Sequence, residues 1–82
     1  MTAKGFRTAI LRAMDNNPYD PTILNAVNVL AEGFEGVAGL LEYLWEYPDP
    51  FGWAARLGLD YSSRKQEAVR VLTGKSWRKL NR

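Results

Sequence analysis

The sequence predicts an all-α fold, a compact orthogonal bundle of four to five short helices, and three observations carry that prediction. Apolar residues recur three and four positions apart in successive segments, the period of a helix with one buried face. Those segments are separated by helix start and stop residues, notably the Asp20-Pro21 and Asp49-Pro50 pairs and the glycines Gly33, Gly58 and Gly74. Runs of strict apolar/polar alternation are too short for strands, and the β-branched residues fall inside helical patterns.

A first helix is predicted from about Ala3 to Asp15, because Phe6, Ile10, Ala13 and Met14 form one stripe while Lys4, Arg7 and Arg12 lie off it. The turn formers Asn16 to Asp20 end it. Asp20 then caps a second helix that starts at Pro21, buries Ile23, Ala26, Val27 and Leu30, and reaches Glu32. Gly33, Gly36 and Gly39 follow at intervals of three, and the break is placed at Gly33. A third helix over Phe34 to Tyr47 turns Val37, Leu40, Leu41 and Leu44 inward and stops before Pro48, since the residue preceding proline is pushed out of helical geometry. After Asp49-Pro50 a two-turn helix containing Phe51, Ala54, Ala55 and Leu57 closes at Gly58. A fifth helix over Arg64 to Thr73 begins at a Ser63/Gln66 capping box and stops at Gly74. Residues 75–82 read as a basic tail that either frays or adds one turn. The expected core is Phe6, Ile10, Met14, Ile23, Val27, Leu30, Val37, Leu41, Leu44, Phe51, Leu57, Val69 and Leu72.

With 82 residues the chain is the size of one domain, and it contains neither Cys nor His. Disulfides and Cys/His-bound zinc are therefore excluded as stabilisers, which makes self-association or a bound partner a natural supplement to a small core. The residues from Met1 to Met14 include Lys4, Arg7 and Arg12, so no uninterrupted apolar signal-peptide region is present. No apolar run approaches the roughly 20 residues of a membrane span. A soluble, cytoplasmic protein that does not engage membranes is the expectation.

Charge is unevenly divided along the chain. Seven acids and no base lie between Asp15 and Asp49, whereas eight bases and two acids follow Phe51. Without His or Cys the usual base at neutral pH and the strongest nucleophile are missing, so a non-enzymatic protein without a cofactor is expected. Glu35, Glu42 and Glu46 share one side of the third helix, within about 40° of one another on a helical wheel. A metal or acid/base cluster is one reading of them; a solvated face opposite the apolar stripe is the simpler one.

Half of the ten aromatic residues, Tyr43, Trp45, Tyr47, Phe51 and Trp53, fall within eleven positions. They either wrap the core around the Pro48–Pro50 corner or, together with Glu42 and Glu46, form an acidic and aromatic protein-binding surface. A protein partner with a basic surface is the leading expectation. The alternative is nucleic-acid binding by Arg64, Lys65, Arg70, Lys75, Arg78 and Lys79, with Trp77 stacking on a base. A third reading is a homo-oligomer in which acidic and basic halves of neighbouring chains meet.

Two local resemblances bear on these readings. Ala54, Leu57, Gly58 and Leu59 resemble the first helix and turn of a helix-turn-helix DNA-binding motif, but Arg64 and Glu67 fall where its second helix requires apolar residues. The stretch Glu32-Gly33-Phe34-Glu35-Gly36-Val37, followed by Leu41-Glu42, resembles the C-terminal part of the AsiA-type phage anti-sigma proteins. That family implies a small helical regulator docked on a larger protein. The rest of this chain, including the region through which that family engages its sigma factor, departs from the pattern, so no functional residue transfers.

Overall fold

In a computed structural model, which describes residues 1–47 and 52–81, the chain is an all-α bundle of six short helices among the described residues. The helices are α1 (Ala3–Asn16), α2 (Pro21–Leu30), α3 (Gly36–Glu46), α4 (Trp53–Leu57), α5 (Ser63–Thr73) and α6 (Trp77–Leu80). None of them is long and apolar enough to cross a membrane. The Asp49-Pro50 start signal and the expected core residue Phe51 lie outside the described residues.

Local chemistry accounts for most of the helix ends. Thr2 caps α1 by accepting from the Gly5 amide at 3.0 Å, and Asp20 caps α2 by accepting from the Thr22 amide at 2.9 Å, with Pro21 at the first helical position. The expected break at Gly33 is present: its φ of 86° lies in the left-handed region, which costs a residue with a Cβ atom about 1–2 kcal/mol. Gly36 also has positive φ, so α3 starts there and Phe34 falls in the connection instead of beginning the helix. At the end of α4, the Leu59 amide reaches the Ala54 carbonyl at 2.9 Å and the Gly58 amide the Ala55 carbonyl at 3.0 Å. These two bonds satisfy otherwise unpaired carbonyls and fold Leu59 under the helix, where it is fully buried.

The start of α5 differs from expectation by one residue. Ser62, not Ser63, is the cap, accepting from the Lys65 amide at 3.3 Å. The Gln66 side chain turns away from the helix start and donates to the Leu59 carbonyl at 2.8 Å, tying α5 to the turn before it. The expected capping box is thereby replaced by a longer-range bond.

The core joins all six helices, with α5 packed most extensively on α2 and with α1 touching α2, α3 and α5. On α3 the innermost residues are Leu40 and Leu44, one turn apart; Val37 and Leu41 are only partly buried at the border of that stripe. Met14 is likewise partly buried. Trp53 and Trp77, absent from the expected core, are almost completely enclosed, at 2% and 5% exposure. They pack with Phe6, whose ring centroid is 5.3 Å from that of Trp53 and 6.4 Å from that of Trp77, while the two indoles meet edge to face at 5.7 Å. Such arrangements add directional attraction to area burial.

This triangle explains why residues 77–80 form a docked helix and not a loose tail. Trp77 is drawn inward by Phe6 and Trp53, and its indole N–H, which would be costly to bury unpaired, donates to Asp60 Oδ1 at 3.0 Å. Ser76 caps the short α6 by accepting from the Lys79 amide at 3.4 Å.

Candidate interaction surfaces

The outer side of α3 carries most of the acidic and aromatic residues singled out in the sequence. Glu42 and Glu46 are exposed one turn apart, and Glu35 at the cap position joins them. Together with Gly33, Phe34, Gly39 and Tyr43 they line an open cleft of about 470 Å³. Among the described residues no three carboxylates are arranged to hold a metal ion. Instead, three like charges stand beside an aromatic wall.

That wall is a ladder of rings. Phe34 and Tyr43 pack in a tilted arrangement with centroids 5.1 Å apart, and Tyr43 meets Tyr47 at the same separation. Partial burial, reinforced by the neighbouring Tyr47 hydroxyl, raises the Tyr43 phenol above its ordinary titration range, so it is neutral at physiological pH. Arg56 comes from α4 to place its guanidinium 4.4 Å from the Phe34 centroid and 6.0 Å from that of Tyr43. It also donates to the Gly33 carbonyl at 3.2 Å, bracing the α2–α3 turn against α4.

Trp45 is the exposed member of the aromatic set among the described residues, at 55%. Lys4 Nζ and the Arg7 guanidinium of α1 lie 4.8 and 5.1 Å from its ring centroid. The indole is thus engaged by two cations of α1. Trp53, by contrast, is a core residue, and its indole is not presented to a partner. Phe51 lies outside the described residues.

The basic candidates divide into two groups. Arg64 pairs with Glu32, and Lys65 donates to the Val29 carbonyl at 2.8 Å with Glu32 at 3.7 Å, so both cations clamp α5 to the end of α2. Arg70 makes a two-point contact with Glu67 on the same helix, at 2.9 and 3.1 Å. Lys75, Arg78 and Lys79 are exposed and form no ion pair among the described residues. Trp77 is buried, which removes it as a stacking platform for a base.

The Arg64 contact holds the Glu32 carboxyl below its ordinary value of 4.5, with Lys65 adding to the effect. A depressed carboxylate contributes stability that is present above its unfolded pKa and is lost as the pH falls through the lower folded value. Glu32→Gln is therefore expected to be slightly less stable than the natural sequence at neutral pH. Its stability should also decline less steeply below about pH 4.5, so that the two proteins converge in strong acid. Urea midpoints measured across that range check the prediction; parallel curves would refute it.

Phe34, Arg56, Lys4 and Arg7 are functional candidates that sequence patterns do not single out. Lys4 and Arg7 share a face of α1 by their i, i+3 spacing, but nothing local in the sequence places that face against Trp45. No protein-family model, curated protein or solved structure matches this chain. Residues 32–42 span the α2–α3 turn and the first half of α3 and contribute most of the cleft lining.

Proposed function

We propose that the protein is a small non-enzymatic binding module that docks on a basic segment of a larger protein through the glutamate-rimmed cleft of α3. The observation that carries this reading is the juxtaposition of Glu35, Glu42 and Glu46 with the Phe34–Tyr43 rings around one open cleft. Carboxylates attract a lysine or arginine from a distance, and a ring face receives its cationic head on contact. Arg56 supports the same chemistry from within the chain, because its guanidinium already rests on Phe34. Trp45, exposed on the same helix, supplies the kind of large amphipathic side chain on which interface energy concentrates.

A Lys/Arg-rich peptide titrated into isotopically labelled protein tests the reading. Shifts are expected at Gly39, Glu42, Tyr43 and Trp45, and the double substitution Glu42→Gln/Glu46→Gln should weaken binding about tenfold at low salt, a difference that narrows as salt is added. Unchanged affinity in that variant would eliminate the cleft as the docking site.

A second reading, contact with nucleic-acid phosphates, is favoured by the charges of Lys75, Arg78 and Lys79, which are exposed and form no ion pair among the described residues. It rests on these three residues, since Arg64, Lys65 and Arg70 are engaged within the fold and Trp77 is enclosed.

A further inference from the structure

Between the C-terminal half of α1, the end of α5 and α6 lies a cleft of about 380 Å³, on a different part of the molecule from the glutamates. Ala13, Ile23, Leu72 and Leu80 give it an apolar floor, whereas Arg12, Asn16, Asn17, Thr73 and Lys75 give it a polar rim. No carboxylate among the described residues lines it. Asp15, three residues from Arg12 on α1, neither lines the cleft nor pairs with Arg12, and Lys75 is also without an ion-pair partner among the described residues. Arg12 and Lys75 therefore place two cations without a carboxylate partner among the described residues on the rim of one cleft.

The rim is also held in place by the backbone. The Thr73 hydroxyl lies 2.8 Å from the Val69 carbonyl and accepts from the Lys75 amide at 3.2 Å, fixing the turn from which the Lys75 side chain projects. Arg12 projects from a regular helix, and Asn17 is anchored by its side-chain amide on the Ala13 carbonyl at 2.9 Å. The site therefore combines a guanidinium fork and an ammonium on firm supports with an apolar surface beneath them.

We propose that this cleft binds a small phosphate monoester, with the phosphate between Arg12 and Lys75 and an apolar or aromatic body on the floor. A phosphate dianion matches two rim cations better than a monovalent carboxylate does, and Asn16 adds an amide donor. The volume is at the small end of ligand sites, which suits a single phosphorylated ring and not a polymer. The proposal is independent of the docking role of α3.

Phenyl phosphate and inorganic phosphate, titrated separately while amide shifts are followed, test it. Phenyl phosphate is expected to give saturable shifts at Asn16, Asn17, Gly74 and Lys75 and to bind more tightly than inorganic phosphate. Arg12→Gln and Lys75→Gln, both at exposed positions, should each lower its affinity about tenfold while the helical circular dichroism signal is kept. Equal binding of the two probes would overturn the role of the floor, and affinity unchanged by both substitutions would overturn the site. A short DNA duplex that displaces phenyl phosphate while shifting Arg78 and Lys79 most strongly would also overturn it, in favour of a nucleic-acid surface.

Discussion

Phe6→Ala is expected to cost about 3–5 kcal/mol and to leave much of the chain unfolded under conditions where the natural sequence is folded. Phe6 is completely buried and touches both enclosed indoles, so its removal opens a cavity whose walls, Trp53 and Trp77, come from separate helices. The whole stability of a domain of this length is about 4–12 kcal/mol, at about 0.05–0.15 kcal/mol per residue, so one such cavity consumes a large share of it. Urea denaturation measures the effect as a lower midpoint with an unchanged slope. Phe6→Leu, which retains most of the volume, should lose less than half as much. A Phe6→Ala midpoint within about 1 kcal/mol of the natural protein would mean that the ring triangle is not the centre of the core.

The second large effect is expected from Trp77→Ala, at about 3–5 kcal/mol with a distinct local signature. Trp77 is the only buried residue of α6, and this four-residue helix has too few internal bonds to persist undocked. Its loss should release the segment after Gly74, so trypsin cleavage after Lys75 becomes fast in the variant and slow in the natural protein. Trp77→Phe separates the two contributions of the indole: it keeps most of the packing but removes the bond to Asp60, and a cost of about 1–2 kcal/mol is expected. If cleavage after Lys75 is equally fast in the natural protein, the docked position of α6 is refuted.

Helix existence was legible in the sequence because it depends on neighbours. The stripe Phe6, Ile10 and Ala13, the Asp20-Pro21 start and the stops at Gly58 and Gly74 are all read within a few residues, and each is present. Boundaries were less legible where two local signals competed. Ser62 and Ser63 are both able to cap α5, and the choice is made by Gln66, whose bond to Leu59 depends on where the preceding turn goes.

Aromatic residues were the hardest to place, for a related reason. A tryptophan is consistent with either core or surface, and its fate depends on partners far away in sequence. Trp53 and Trp77 go inward because Phe6 is there to meet them; Trp45 stays outside, where Lys4 and Arg7 meet it. The basic half was overcounted for the same reason, because Glu32 occupies Arg64 and Lys65 from the α2–α3 turn. The acidic stripe of α3 was easier, since Glu42 and Glu46 are placed by the turn of a single helix.

The Phe6–Trp53–Trp77 triangle also sets a delay during biosynthesis. Phe6 and Trp77 are 71 positions apart, so at about 5–20 residues per second the ring of Phe6 exists for roughly 4–14 s before its last partner has been made. Throughout that interval the apolar stripe of α1 has no complete core to enter, and the nascent chain is a substrate for chaperones or for association with its neighbours on the same message. Slow codons between the positions of Trp53 and Trp77 would lengthen the exposure, whereas the same codons placed before Phe6 would leave it unchanged.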